Sequence, residues 1–128
     1  MIGNTGYITF SVELSTNSDQ DNKIATDLTR VILNKSNIPF KEVIGSYSGD
    51  RENSFIVHPK YENEVFDIAN SANQESILFV GPTGNASLTY LETGKTVSLG
   101  KMKQHNKPNG LTSFTFDPVN ETYWSTEC

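Results

Sequence analysis

The segment GSYSGDRENSF, residues 45–55, holds the residues of this chain best suited to chemistry. The flanking stretches KEVIGSYS and ENSFIVHP read as two strands joined by the short loop Ser48-Gly49-Asp50-Arg51. With a loop of that length Tyr47 lies opposite Glu52, Gly45 opposite Ser54 and Val43 opposite Ile56. Directly opposed residues share a face of the sheet. One face then gathers a tyrosine, a glutamate and a serine, with a glycine that leaves room above the backbone. The other face carries Ile44, Phe55 and Val57, which suits a core. An aromatic ring beside a carboxylate is a seat for a small cation. The same residues also fit an ordinary Tyr–Glu cross-strand pair on a solvated face.

Other chemistry finds less support. ILFVGPTGNAS, residues 77–87, has a buried-looking strand running into a Gly-rich turn, as phosphate-cradling loops do. A P-loop requires G-x-x-x-x-G-K-[ST] followed by a helix. Counting from Gly81, the glycine and lysine positions hold Ala86 and Ser87, and SLTYL alternates like a strand. GPTG therefore reads as a turn. His58, before Pro59, and His105, in a polar stretch read as a loop, have no partner at metal-ligand spacing and read as surface histidines. No serine lies in a GxSxG frame. The single cysteine is Cys128, so neither an internal disulfide nor a Cys/His metal set is expected, and no metal or cofactor is called for.

The elements that must position the 45–55 segment follow from periodicity. Ile8, Phe10, Val12 and Leu14 alternate with Thr9, Ser11 and Glu13, predicting a half-buried strand. Ile24, Leu28, Val31 and Ile32 recur at helical spacing and predict an amphipathic helix whose apolar stripe faces the core and which ends before Pro39. Pro59 suits a helix start, and Val65, Ile68, Ala69 and Ala72 supply a second stripe. ESILFV is apolar on both faces and reads as a central strand. ASLTYLE and KTVSLGK form a further hairpin around Thr93-Gly94. KQHNKPNG is a loop, and LTSFTFDPVNETYW holds one or two short strands.

Strand, helix, strand, strand, helix, strand is the ferredoxin-like βαββαβ order. The expected fold is α+β, a ferredoxin-like sandwich with an appended C-terminal β segment. Residues 1–128 form one expected domain, with 1–5 a flexible N-terminus and 6–124 the core plus the appended segment. Fifteen acidic against ten basic side chains give a net charge of −5, with the lysines and arginines scattered. That pattern lacks the basic footprint of a nucleic-acid binder. MIGNTGYITF lacks the pattern of a signal peptide and no apolar run reaches a membrane span, so a cytoplasmic location is expected. The sequons at Asn34, Asn85 and Asn120 are then chance.

In this order and spacing the chain resembles the bacteriophage S-adenosylmethionine lyases, formerly called hydrolases. The likeness runs through GYITFSVEL, the polar loop after it, GSYS, RENSFIV, DIANSAN, QESILFV, LTY and FTFDPVNETYW, across most of residues 6–124. The resemblance implies a ferredoxin-like core and a homotrimer with active sites between subunits. By motif, Tyr47 of GSYS and Glu52 of RENSF fall on the family's active-site tyrosine and glutamate. Ser54 of the same motif and Gln74, Glu75 and Ser76 of QES fall at candidate substrate contacts. The segment between the tyrosine and glutamate strands is shorter here than in the family.

The implied reaction turns S-adenosylmethionine into 5′-methylthioadenosine and L-homoserine lactone, without a cofactor, by attack of the substrate's own carboxylate. In a phage-infected bacterium it would deplete the methyl donor that certain restriction systems use. Two other classes fit the same composition: a non-catalytic phage protein that binds and inhibits a host protein, and a module that binds an adenosine-containing metabolite.

Overall fold

The computed structural model describes residues 6–47, 50–107, 111 and 113–126, with only the backbone of Tyr47. The expected flexible N-terminus at 1–5 lies outside the described residues. β1 (Tyr7–Ser11), α1 (Asp19–Lys35), β2 (Phe40–Tyr47), β3 (Asp50–Val57), α2 (Glu62–Ser71) and β4 (Ser76–Val80) follow in the expected order. Their strands pair antiparallel as β4-β1-β3-β2, the ferredoxin-like arrangement. A 3-10 turn, Pro59–Tyr61, leads into α2.

The rest of the chain departs from the expected sandwich. β5 (Asn85–Tyr90) and β6 (Thr96–Lys101) extend the sheet beyond β4. Beyond β2 come β8 (Ser113–Asp117), β9 (Thr122–Ser125) and β7 (Lys103–His105), giving nine strands in the order β6-β5-β4-β1-β3-β2-β8-β9-β7. β6 and β7 are thus the two edges of one sheet, yet Met102 alone separates them in sequence. Neighbouring Cα atoms stand about 3.8 Å apart, so the edges must come together. The sheet curls into a near-closed barrel, and the C-terminal third closes it instead of being appended to a sandwich. The Met102 amide continues the β5–β6 ladder by donating to the Gly84 carbonyl at 2.7 Å. Alternation reveals a strand but not the edge it joins, which is why the sequence suggested a simpler ending and at most two strands there.

The two helices cover one side of the sheet. Ile8, Phe10, Phe55 and Val57 meet Leu33 of α1 and Val65 and Ala69 of α2 there, so the second predicted stripe is oriented as expected. The first is not. Ile24, Leu28, Val31 and Ile32 lie 39–57% exposed, while Thr26, Thr29 and Leu33 are the buried residues of α1. Both threonines are satisfied: Thr29 Oγ1 donates to the Ala25 carbonyl at 2.8 Å and Thr26 Oγ1 to Glu13 at 2.6 Å. A hydroxyl with a partner can enter a core cheaply, and periodicity alone could not show which side of the helix did so. Ser18 caps α1 through the Asp21 amide at 3.1 Å, with Asp19 and Asp21 in the first turn.

The opposite, concave side of the sheet holds a second apolar cluster of Tyr7, Val43, Ile56, Leu78, Val80 and Ala86. β1 is therefore buried on both faces, not half-buried. GPTG is the turn it was read as. Gly84 donates to the Gly81 carbonyl at 3.0 Å, Gly81 to the Asn85 carbonyl at 2.9 Å, and a strand follows. At the far end, buried Asp117 is the acceptor for Lys41 Nζ, for Asn120 Nδ2 at 2.9 Å and for the Val119 amide at 3.0 Å. That pins the β8–β9 corner to β2.

Candidate active site

The hairpin that carries GSYSGDRENSF is tighter than its sequence suggests. Tyr47 pairs with Asp50, Gly45 with Glu52 and Val43 with Ser54, so Asp50 and Arg51 belong to β3. The register is displaced by two residues from the expected one. Side chains in a strand alternate with period two, and a two-residue displacement therefore preserves every face. Glu52, Ser54 and Gly45 still share the concave face, and Tyr47 is at a backbone position on that same face. The glycine directly across from Glu52 adds no side chain there.

β1 lies between β3 and β4 and runs antiparallel to both. Ser11 pairs with Ser54, and Thr9 with Leu78, so the beginnings of both neighbours flank the end of β1. That topology brings QES beside RENS. A cavity of about 320 Å³ opens at this point, and Glu52, Ser54, Gln74, Glu75 and Ser76 all line it. Five of the six residues singled out from sequence thus meet in one place. Tyr47 stands on β2 two positions beyond Gly45, and its side chain is outside the described atoms.

Residues that the sequence did not flag complete the site. Thr9, Ser11, Glu13 and Asp50 line the same cavity. Glu13 is 8% exposed, and its carboxylate accepts from the Asn53 amide at 2.8 Å, Asn53 Nδ2 at 3.1 Å and Thr26 Oγ1 at 2.6 Å. Gln74 Nε2 donates to the Glu13 carbonyl at 2.9 Å, joining the head of β4 to the end of β1. Ser11 Oγ donates to the Asn53 carbonyl at 2.9 Å and accepts from the Glu13 amide at 3.0 Å. Thr9 Oγ1 is buried with no hydrogen-bond partner among the described residues. The available signal was the run Thr9, Ser11, Glu13: polar residues on the second face of a strand whose first face is entirely apolar.

The cavity is strongly acidic, with Glu13, Asp50, Glu52 and Glu75 around it. Burial, then the charges of Glu13 and Asp50, push the Glu52 carboxyl up to about 7. A cation brought beside it would favour its ionised form. Among the described residues no three acidic, histidine or cysteine side chains are grouped to hold a metal ion. The histidines stand apart from the cavity. His58 caps the 3-10 turn by accepting from the Lys60 amide at 3.0 Å. His105 is not in a loop but in β7, opposite Tyr123.

The sequence model of the S-Adenosylmethionine lyase family matches residues 8–127. The chain belongs to the S-adenosylmethionine lyase family. A comparison with curated proteins finds no match. The match to the lyase family takes in all of the barrel strands except Tyr7 at the start of β1, and every residue named around the acidic cavity. Membership gives the chain an enzymatic role on S-adenosylmethionine, a substrate whose sulfonium and ammonium groups are both cationic. No helix among the described residues is long and apolar enough to cross a membrane.

Proposed function

We propose that the chain cleaves S-adenosylmethionine to 5′-methylthioadenosine and L-homoserine lactone, with the methionyl part of the substrate held in the acidic cavity. In this reaction a carboxylate oxygen of the substrate attacks its own γ-carbon. The bond from that carbon to sulfur breaks, and its electron pair leaves with the sulfur as a neutral thioether. No outside nucleophile is consumed and no net proton is lost. The protein has mainly to fold the substrate into a near-attack shape and exclude water.

The observation that carries this reading is the half-buried Glu52 carboxyl beside two further acids, in a cavity open to a cationic ligand. A carboxylate beside the sulfonium aids binding more than bond breaking, because the positive charge on sulfur fades in the transition state. Glu52 is accordingly assigned to the substrate ammonium or to orienting the reacting chain. Tyr47 is assigned to packing near the sulfonium or hydrogen-bonding the substrate. Ser54, Gln74, Glu75 and Ser76 supply polar contacts. The assembly is a homotrimer with sites between subunits, acting in the host cytoplasm of a phage infection to deplete the methyl donor.

Incubation of purified protein with S-adenosylmethionine, followed by mass detection of methylthioadenosine and homoserine lactone, tests the reading. Homoserine as the sole initial product would replace intramolecular attack by hydrolysis. A second reading, a non-catalytic binder of a host protein, draws on the exposed aliphatic stripe of α1. It predicts no product and a complex lost on Leu28→Gln.

A further inference from the structure

One face of α1 stays uncovered. Ile24, Leu28, Val31 and Ile32 form an exposed aliphatic stripe along it, on the opposite side of the sheet from the concave face that carries Glu52. Beside the stripe runs a groove of about 340 Å³, lined by Leu28 and Ile32 from α1 and by Ile68 and Ala72 from α2, with Asp67 its one charged lining residue. A contiguous apolar patch rimmed by polar residues marks a contact surface. Asp21 stands about two turns before Leu28 on this helix face, and Lys35 about two turns after it. Both are exposed, and neither has an ion-pair partner among the described residues. The charges on the flank of α1 are already matched within the chain: Asp27 pairs with Lys23 and Arg30, and Arg30 also pairs with Glu42.

These positions are symmetric about Leu28. Ile24 lies four residues before it and Ile32 four after, while Asp21 lies seven before and Lys35 seven after. A second α1 laid antiparallel on the first, with a two-fold axis at Leu28, therefore sets Leu28 against Leu28 and Ile24 against Ile32. At each end it sets Asp21 against Lys35. We propose that this face of α1 is a self-association surface, pairing two copies of the chain antiparallel about Leu28. A two-fold contact requires such a self-complementary patch. The aliphatic stripe supplies the attraction. The charges fix the direction, because parallel pairing would oppose Asp21 to Asp21 and Lys35 to Lys35. Antiparallel pairing also brings opposite ends of the two helix dipoles together. The contact does not depend on the lyase reading, and in a trimeric protein it would join two trimers.

Sedimentation equilibrium of the purified chain tests this. As concentration rises, wild type should pass to twice the mass of its smallest species. Leu28 meets itself on the axis, so Leu28→Gln removes two side chains from the contact and should weaken pairing at least about tenfold. The contact joins chains already folded, so the stability of the separate chain should not change. Asp21→Lys alone and Lys35→Asp alone each oppose like charges at both ends and should weaken pairing at least about threefold. Both swaps together restore opposite charges and should return the affinity to within about threefold of wild type. Each swap opposes the dipole of its own helix, so helix damage would be greatest in the double variant and cannot explain a recovery. Circular dichroism confirms that the variants are folded. A wild-type mass that never doubles would overturn the proposal and leave the stripe to a different protein. Doubling indifferent to Leu28→Gln, or no recovery in the double swap, would overturn it too. Turnover of S-adenosylmethionine, measured separately, decides the lyase reading whichever way the masses fall.

Discussion

The carboxylate of Glu13 receives the backbone amide of Asn53 at 2.8 Å, one residue along the strand from Glu52. A fixed negative charge is thereby held beside a second carboxyl that burial already disfavours as an anion. Glu13 takes three donors from Asn53 and Thr26, whereas Glu52 is pushed up to about 7. Both carboxyls line the same cavity, whose acidic walls suit a cation.

Glu52 should therefore destabilise the unliganded fold at neutral pH. Its folded value is raised above the ordinary 4.5, to about 7. The stability linked to its proton is complete below about 4.5 and is lost as pH rises through about 7. Glu52→Gln, which is never ionised, should be more stable than wild type at pH 8 by up to about 3 kcal/mol. The gain should vanish near pH 4. Urea unfolding at both pH values checks this, and an equal gain at both would refute the linkage.

Substrate affinity should follow the same group with the opposite sense. A cationic ligand favours ionised Glu52, so KM for S-adenosylmethionine should fall as pH rises from about 6 to about 7.5. Glu13→Gln removes one of the charges that raise Glu52, though not burial, the largest cause. Its KM profile should keep its shape and move to lower pH. An unmoved midpoint, with Asp50 and Glu75 still in place, would show that Glu13 does not act on Glu52.

The outward stripe of α1 predicts an inversion of the usual core rule. Leu28→Gln, at a 57% exposed position, should change stability by less than about 0.5 kcal/mol. Leu33→Ala, at a fully buried one, should cost about 2–5 kcal/mol. Chemical denaturation of the two variants distinguishes this orientation from the reverse.

Asp117 should matter for stability rather than chemistry. Burial alone would raise its carboxyl, but hydrogen bonds from Lys41 and Asn120 hold it below the ordinary carboxylate value. Asp117→Ala leaves Lys41 and the 117–120 turn without their acceptor and should cost about 3–5 kcal/mol. Lys41→Met with Asp117→Leu should recover part of that loss. No recovery in thermal unfolding would place the cost in the turn alone.

The legible part of this protein was its pattern of local elements. Alternation and helical spacing located the βαββαβ core, because each element must bury one face whatever its partners are. The face shared by Glu52 and Ser54 survived a two-residue error in register, since faces repeat every second residue. Glu13 was not legible, because its importance comes from Asn53 and Thr26, which are distant in sequence. Nor was the direction of α1, where Thr26 and Thr29 replace aliphatic residues in the core by finding hydrogen-bond acceptors. The closure of the barrel escaped for a similar reason. It depends on β6 and β7 belonging to opposite edges, which no local pattern encodes.

The most direct test of the account is product formation by wild type and Glu52→Gln side by side. Purified protein is incubated with S-adenosylmethionine and the products are resolved by mass at early times. The account predicts methylthioadenosine and homoserine lactone in equal amounts from wild type, and a loss of at least a hundredfold in rate from a folded Glu52→Gln. Wild-type-like turnover by that variant, or no methylthioadenosine from the wild type, would contradict it.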